Sequence, residues 1–520
     1  MRKNLGDFQT PIPLANEVVS LLQRRLGPFE RVLEPTCGSG SFVRALTNSA
    51  APPSEVWALE IQDHYLEEVR ALARSSPPGC VHVQPADIFR FSLQSIRWST
   101  AGRLLVVGNP PWALNADLSA RGSDNLPEKS NLRGLRGIDA ITGAANFDIA
   151  EYIWLKLLRE LAHESPTIAL LCKTSVARNV LRFARQNRLP LLSSSLWRVD
   201  ARKWFGVAAD ACLFAATVGP GIPTYETDVF PSMEAASPEA RLGFVGDQLV
   251  PDVLGASGVA DLLSGSAFEW RQGVKHDAAA VLELRCDGGR MHNGLGELVD
   301  VEPDRVFPLL KGSDVFHGRD AGRAVLLPQL HTGDDSTKLK LTHPRLWDYL
   351  SRHANTLSSR KSSIYRGRSP FAIFGVGPYS FAPYKVAISG LHKDARFLPV
   401  GPRDGRPILF DDTTYFLPAR SASQCAVFSA VLNSAECQQA LGVLVFWDMK
   451  RPITKAVLSR VNIVGLATRL SEDVLRVAVA AVLRQLNLPQ AEADGLDGHA
   501  LNRLLVGERL DVNENLVLPL

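Results

Sequence analysis

A short polar and aromatic corner follows one apolar segment of the chain and has the composition of a site for a planar amine. After the apolar run 104–107 the sequence reads Gly-Asn-Pro-Pro-Trp, ending at Trp112. The side-chain oxygen of Asn109 and the carbonyl of Pro110 can both accept hydrogen bonds from one amino group, while Trp112 can stack on the ring that carries it. Because proline fixes φ and lacks an N–H, Pro110 and Pro111 keep the corner extended and its carbonyls free. Alone, Asn-Pro-Pro is more often a simple turn.

A glycine-containing turn earlier in the chain has the composition of a cofactor site. It runs from Glu34 to Phe42 and contains Gly38 and Gly40, which let a ligand approach the backbone closely. A dinucleotide and S-adenosylmethionine are the two alternatives. Val43 stands where the dinucleotide fingerprint has its third glycine, and Glu34 can pair with an ammonium group but would repel a pyrophosphate. The turn therefore favours the amino-acid end of S-adenosylmethionine.

Two further acids come at regular places beyond this turn. Glu60 closes the second apolar segment, where an acid commonly binds ribose hydroxyls. Asp87 follows the third segment and can reach an adenine amino group, with Ile88 packing against the ring. An acid at a strand end is also a common helix N-cap. Three acids in order, each at the carboxyl end of a predicted strand, favour the cofactor site.

The elements that must position these residues alternate along the first 220 residues. Strands are predicted at 31–34, 56–60, 81–84, 104–108, 167–172 and 210–217, and helices at 13–26, 42–48, 63–74, 147–162 and 176–187. Such alternation predicts an α/β fold with a mostly parallel sheet, which binds ligands at the carboxyl ends of its strands. The polar segment 113–146 is predicted to be a loop that closes over the substrate.

The composition changes beyond this region. Residues 221–245 are predicted to be a linker because proline and glycine are frequent around them. Residues 246–520 contain short β-like runs and a few helices, which predict a separate α+β domain. The predicted boundaries are thus 1–220 for the first domain, 221–245 for the linker and 246–520 for the second domain.

These motifs together resemble the gamma class, or TaqI type, of S-adenosylmethionine-dependent N6-adenine DNA methyltransferases of restriction–modification systems. The resemblance rests on Gly6 to Pro11, Glu34 to Phe42, Asn109 to Trp112, Asn146 to Asp148 and Trp204 to Val207, in that order. Glu34 replaces the family's Asp and keeps the charge, while Trp112 replaces a Tyr or Phe and has no hydroxyl.

The resemblance implies a fold and a set of site residues. The fold is a Rossmann-like class I methyltransferase domain with a mostly parallel seven-stranded sheet, followed by an α+β target-recognition domain. The corner residues Asn109, Pro110, Pro111 and Trp112 would be catalytic. The cofactor would contact Phe8, Thr10, Pro11, Glu34, Pro35, Cys37, Gly38, Gly40, Glu60, Ile61, Asp87, Ile88 and Asn109.

The reaction implied is methyl transfer to the N6 amino group of an adenine flipped out of duplex DNA. A flipped base must be held by stacking, for which Trp112 and Phe205 are the candidates. No metal ion is expected. Candidate phosphate contacts are the basic residues Lys129, Arg133, Arg136, Lys361, Arg366, Arg368, Lys450 and Arg451.

Composition limits the class of protein. The 520 residues are 46% hydrophobic and 21% charged, with a net charge of +3, which is an ordinary globular balance. The seven cysteines contain no Cys-x-x-Cys pair, so a disulfide framework and a zinc site are not expected. No apolar run reaches about 18 residues. We therefore expect a soluble, cytoplasmic protein with no membrane partner. We also expect a monomer, and any cognate restriction endonuclease on a separate polypeptide.

Several alternatives stay open at this stage. The same corner occurs in methyltransferases that act on adenine or guanine in RNA and on glutamine in proteins, although a large second domain favours DNA. Cytosine N4 is chemically close to adenine N6. A non-catalytic DNA-binding module is a further possibility, but it would have no need of Asn109, Pro110, Glu60 and Asp87 together. A fused nuclease is not expected, because no Asp…Glu-x-Lys constellation is found.

Overall fold

The computed structural model describes residues 9–112, 148–287 and 289–488, and the chain divides into two compact units at Leu254 and Gly255. The first unit is built on a ten-stranded sheet with the order β10-β9-β8-β6-β7-β5-β4-β1-β2-β3. Its strands are β1 (Arg31–Glu34), β2 (Glu55–Glu60), β3 (Val81–Pro85), β4 (Leu104–Gly108), β5 (Thr167–Lys173), β6 (Leu191–Asp200), β7 (Asp210–Val218), β8 (Thr227–Phe230), β9 (Ala240–Val245) and β10 (Gln248–Val250).

Helices precede, connect and follow these strands. They are α1 (Ile12–Leu26), α2 (Ser41–Thr47), α3 (Asp63–Ser75), α4 (Ile149–Glu160), α5 (Thr174–Gln186), α6 (Ala201–Phe205) and α7 (Val253–Ser257). Strands β3, β2, β1, β4 and β5 pair with one another in parallel, whereas β7 runs antiparallel to both β5 and β6. The central strands β4 and β5 are buried along nearly their whole length, as is typical of a parallel sheet with helices on both faces. The α/β class and the mostly parallel sheet are therefore confirmed, but the sheet has ten strands and not the seven that the resemblance implied.

Two expectations for this unit need correction. Strand β6 was not predicted because its serine-rich start resembles a turn, although seven of the ten residues from Leu191 to Asp200 are buried or half-buried. The segment 221–245 is not a linker, because β8 and β9 lie within it and extend the sheet. Strand β8 pairs in parallel with β6, with Ser195 opposite Asp228, and β9 pairs with β8. Composition alone did not show these pairings because they join residues distant in sequence.

The second unit contains two smaller sheets. The strands are β11 (Arg271–Gln272), β12 (Glu283–Asp287), β13 (Arg290–Asn293), β14 (Val306–Leu310), β15 (Arg323–Leu326), β16 (Tyr384–Ser389), β17 (Phe397–Val400), β18 (Leu409–Phe410) and β19 (Thr414–Ala419). A four-stranded sheet has the order β11-β19-β16-β17, and a five-stranded sheet has the order β13-β12-β15-β14-β18.

Ten helices of the described residues accompany these sheets. They are α8 (Ala279–Leu282), α9 (Gly312–His317), α10 (Leu339–Thr342), α11 (Pro344–Arg352), α12 (Ala354–Ser358), α13 (Ala422–Leu432), α14 (Ala435–Leu444), α15 (Lys455–Leu458), α16 (Ile463–Arg469) and α17 (Glu472–Gln485). Helix α13 is buried nearly all round, since only one of its residues is not buried. The mixture of short strands and helices confirms the α+β character of this region.

Candidate active site

The glycine turn between β1 and α2 is packed closely against the start of the described chain. Gly38 and Gly40 have positive φ values of 52° and 81°, and a Cβ atom on Gly38 would lie 2.4 Å from the Gln9 side chain. The backbone N–H of Ser39 donates to Gln9 Oε1 at 3.0 Å, and Ser41 Oγ donates to the Thr10 carbonyl at 2.6 Å. Gln9 and Thr10 of the first motif therefore contact the turn. Phe8 lies outside the described residues.

Glu34 is the buried acid of this turn, with only 2% of its surface exposed. Burial raises the pKa of its carboxyl well above the usual value, the nearby Glu60 carboxylate adds to the rise, and the backbone N–H of Val43 opposes it. Within the described ranges, neither Glu34 Oε2 nor the buried hydroxyl of Thr36 has a hydrogen-bond partner. Buried polar atoms are normally satisfied, so these oxygens fit a cationic, hydrogen-bonding ligand group such as an amino-acid ammonium.

Glu60 joins the turn to the neighbouring strand. Its Oε2 accepts from the backbone N–H of Gly38 at 2.8 Å, and its Oε1 accepts from Ile61 and Gln62 at 2.9 and 2.8 Å. A carboxylate has about four acceptor positions, so a ribose hydroxyl can still donate to it. Ile61, next to it, is 47% exposed and is available for an apolar contact.

The third acid belongs to the turn after β3. Asp87 Oδ1 accepts from the backbone N–H of Phe89 at 2.9 Å, and Ile88 is buried. Because β3, β2, β1 and β4 are neighbours in that order, Asp87, Glu60 and Glu34 follow one another along the carboxyl edge of the sheet. The remaining predicted cofactor residues of the turn, Pro35 and Cys37, lie between Glu34 and Gly38, and Cys37 is buried.

The corner formed by residues 109–112, which we call the asparagine corner, lies beside this turn. Asn109 follows β4, which pairs with β1, and a Cβ atom on Gly108 would lie 3.5 Å from Pro35. Asn109 is half-buried and Pro110 is buried, while Pro111 is half-buried. The predicted catalytic residues and the predicted cofactor turn therefore form one continuous surface at the ends of two adjacent strands.

The two candidate stacking residues are in contact with each other. Trp112 and Phe205 have ring centroids 5.1 Å apart at an interplanar angle of 68°. Trp112 is only 6% exposed, and its Nε1 donates to the Leu171 carbonyl at 3.2 Å. A base sandwiched between two parallel rings needs them about 7 Å apart, twice a van der Waals separation. The rings in this arrangement leave no such gap.

Lys173 is a residue of the site that the sequence analysis did not identify. It ends β5, and its Nζ donates to the Trp112 carbonyl at 3.3 Å and to Asp148 Oδ2 at 2.7 Å. Asp148 belongs to the motif that starts at Asn146, but Asn146 itself lies outside the described residues. The sequence did contain an indication of this role, because Lys173 directly follows the predicted strand 167–172.

The candidate DNA contacts are distributed over both units. Lys129, Arg133 and Arg136, with the whole loop predicted at 113–146, lie outside the described residues. Of the others, Lys361, Arg366, Arg368 and Lys450 are exposed, whereas Arg451 is half-buried. Arg451 donates to the Asp412 carbonyl at 3.4 Å, and its guanidinium lies 3.6 Å from that residue's carboxylate.

Neither a metal site nor a membrane-spanning helix is found among the residues that the structure describes. In those residues no group of three or more His, Cys, Asp or Glu side chains is arranged to hold a metal ion. Across the same ranges, every helix is too short or too polar to cross a bilayer.

Comparison with known proteins decides the family. The chain is 36% identical over 466 residues to the type II methyltransferase M.NspV of Nostoc sp. (strain ATCC 29411 / PCC 7524), covering 89% of this chain and 97% of that protein. The chain belongs to the type II methyltransferases. It is thus a DNA methyltransferase of the restriction–modification type, and this membership confirms S-adenosylmethionine as the expected cofactor.

A solved structure supports the fold of this type II methyltransferase. The type IIL restriction–modification enzyme MmeI, in complex with DNA, matches with a TM-score of 0.55 at 11% identity, covering 95% of this chain and 72% of that chain. At this identity the match concerns the fold. No protein-family profile matches the chain.

Proposed function

We propose that this methyltransferase transfers a methyl group from S-adenosylmethionine to the N6 amino group of an adenine flipped out of duplex DNA. The observation that carries the proposal is the continuity of two sites. The Asn109 corner ends β4, the Glu34 turn ends the neighbouring β1, and the position of a Gly108 Cβ is 3.5 Å from Pro35. An amine held at the corner would lie directly beside a cofactor bound at the turn.

The cofactor supplies a methyl group on a positively charged sulfur. Glu34 and Thr36 would hold its amino-acid end, Glu60 its ribose, and Asp87 with Ile61 and Ile88 its adenine. Thr10, Pro11, Pro35, Cys37, Gly38 and Gly40 shape the same surface, and Phe8 is proposed with them. The acids are prepositioned by backbone hydrogen bonds, so little ordering is needed when the cofactor binds.

The chain's contribution to the reaction is positioning and hydrogen bonding. The adenine N6 lone pair is delocalised into the ring, which makes the amine a poor nucleophile. If the Asn109 side-chain oxygen and the Pro110 carbonyl accept its two protons, the nitrogen becomes more tetrahedral and its lone pair faces the methyl group. Pro111 keeps the corner rigid.

Base stacking and DNA contact belong to the same proposal. We keep Trp112 and Phe205 as the stacking residues, and because their rings touch, a base can enter only if Phe205 moves away from Trp112. The second unit is proposed to recognise the target. Candidate phosphate contacts remain Lys129, Arg133, Arg136, Lys361, Arg366, Arg368, Lys450 and Arg451. A monomeric state and a separately encoded restriction endonuclease are also proposed.

The test is to incubate the purified protein with tritiated S-adenosylmethionine and unmethylated duplex DNA, and then to identify the labelled nucleoside. We expect N6-methyladenine from the wild type and from Asn48→Ala, an exposed asparagine of the same unit that serves as the control. Asn109→Ala should give none while still binding the cofactor. Label in N4-methylcytosine would replace the proposed target base, and full turnover by Asn109→Ala would refute the role of the corner.

A further inference from the structure

Two residues of strand β5 form hydrogen bonds with the asparagine corner. The backbone of β4 pairs with β5 so that Gly108 lies opposite Leu170. The next residue of β5, Leu171, accepts the Trp112 indole N–H at 3.2 Å, and Lys173 donates to the Trp112 carbonyl at 3.3 Å. The side chain and the backbone of the corner's last residue are therefore both fixed by one strand.

The lysine is itself fixed by a buried acid. Lys173 Nζ lies 2.7 Å from Asp148 Oδ2, and the other oxygen of Asp148 accepts from the backbone N–H of Ala150 at 3.1 Å. Asp148 is the N-cap of α4 and is 8% exposed, so its carboxylate cannot move without uncapping the helix. Burial raises the pKa of Asp148, and the ammonium of Lys173 opposes that rise.

We propose that Lys173 is a positioning residue for methyl transfer, which holds the corner so that the Asn109 and Pro110 oxygens meet the target amine. The inference rests on the proposed function and adds a residue to it. The lysine side chain is 29% exposed, so it is not an ordinary core contact. The Lys173 ammonium donates to both a carboxylate and a carbonyl, and hydrogen bonds from a charged donor are stronger than neutral ones.

The alternative is that Lys173 only stabilises the fold, as any half-buried ion pair does. Lys156 is a matched control, because it is also a part-buried lysine of this unit and is paired with Glu160 on α4. Among the described residues, no hydrogen bond or ion pair links Lys156 to the asparagine corner. If Lys173 only stabilises the fold, replacing either lysine should have the same effect on the methylation rate. If Lys173 positions the corner, only its replacement should lower that rate.

The kinetic test compares Lys173→Met, Lys173→Arg and Lys156→Met in single-turnover methylation of DNA at saturating cofactor. We expect Lys173→Met to lower the rate at least tenfold with the dissociation constant of S-adenosylmethionine changed less than twofold. Lys173→Arg should recover part of the rate, and Lys156→Met should keep it. An unchanged rate in Lys173→Met, or a rate that falls only together with cofactor affinity and melting temperature, would overturn the proposal.

A second measurement does not depend on activity. The indole N–H resonance of Trp112, assigned with Trp112→Phe, should shift in Lys173→Met, move back towards its original position in Lys173→Arg, and stay unchanged in Lys156→Met. An unshifted resonance in Lys173→Met overturns the inference. If the wild type methylates no DNA and the resonance nevertheless shifts, the proposed function fails while the structural link between Lys173 and the corner is retained.

Discussion

Glu60 and Gly38 are joined by a hydrogen bond of 2.8 Å from the glycine N–H to the carboxylate, which fixes the glycine turn to the end of the neighbouring strand. The other carboxylate oxygen accepts from the backbone N–H groups of Ile61 and Gln62, the two residues before α3. One side chain therefore sets the distance between the turn and the segment beyond β2. Since both segments are proposed to contact the cofactor, this bond also prepares its binding site.

We predict that Glu60→Gln lowers the affinity for S-adenosylmethionine at least tenfold. A glutamine amide keeps one acceptor oxygen, but its NH₂ group cannot accept from a backbone N–H. The variant therefore loses the hydrogen bonds of Glu60 either to Gly38 or to Ile61 and Gln62. A tenfold change corresponds to about 1.4 kcal/mol of binding free energy. Isothermal titration calorimetry of the folded variant with the cofactor measures it.

Glu55→Gln is the matched control for this prediction. Glu55 begins the same strand, is 1% exposed, and accepts from the backbone N–H groups of Ser99 and Thr100, both at 2.8 Å. Because it lies at the opposite end of β2, its replacement should lower the melting temperature and leave cofactor affinity within twofold. Equal losses of affinity in both variants would mean that Glu60 acts only through stability.

The sequence predicted those parts of the site that depend on strand ends. Short apolar runs followed by an acid or by Asn109 indicated which residues lie at the carboxyl edge of the sheet, because parallel strands end at the same edge. The pairings of β6 and β8 and the position of Lys173 were not predictable in this way. Residues 112 and 173 are brought together by the β4–β5 register, which is decided by packing between distant segments.

Phe205→Leu tests the stacking role. Leucine keeps apolar contact with Trp112 but has no ring face, so the variant should bind and flip the base less well. Stacking on an aromatic is worth about 1–3 kcal/mol per base, or roughly 5- to 150-fold in affinity. Fluorescence of 2-aminopurine at the target position measures flipping. Wild-type flipping and turnover in Phe205→Leu would remove Phe205 from the proposed stacking pair.

The loop at 361–368 provides a test of DNA contact. Arg360 anchors it, since its guanidinium donates to the Ala372 carbonyl at 2.7 Å and lies 3.7 Å from the Tyr365 ring centroid. Lys361, Arg366 and Arg368 are exposed beside that anchor. Replacing these three with alanine should weaken DNA binding and reduce the salt slope by up to about 0.9 for each lost phosphate contact.

The control for the loop is Arg476→Ala, which removes an exposed arginine paired with Glu472 on α17. Its salt slope should equal that of the wild type in the same fluorescence anisotropy titrations. The three-residue variant should keep its melting temperature, because exposed charges contribute little to stability. A wild-type salt slope in that variant would exclude the loop from the DNA contacts.

We predict that Lys385 in β16 makes the stability of the second unit depend on pH. It is 1% exposed, its Nζ donates to the Ile408 carbonyl at 2.9 Å, and burial lowers its pKa from 10.5 to about 7. Above pH 7 the unfolded chain keeps the proton that the folded chain releases, so stability rises with pH by at most about 1.4 kcal/mol per pH unit. Lys385→Met has no such group and should lack this part of the rise.

The measurement is the difference in unfolding free energy between wild type and Lys385→Met, by urea denaturation at about pH 7 and about pH 8.5. The difference should shift in favour of the wild type by up to about 2 kcal/mol over that range. Higher pH is avoided because buried thiols such as Cys425, whose pKa burial raises to about 12, act with the opposite sign. A difference that does not change with pH would mean that Lys385 keeps its proton when folded, held by the Ile408 carbonyl.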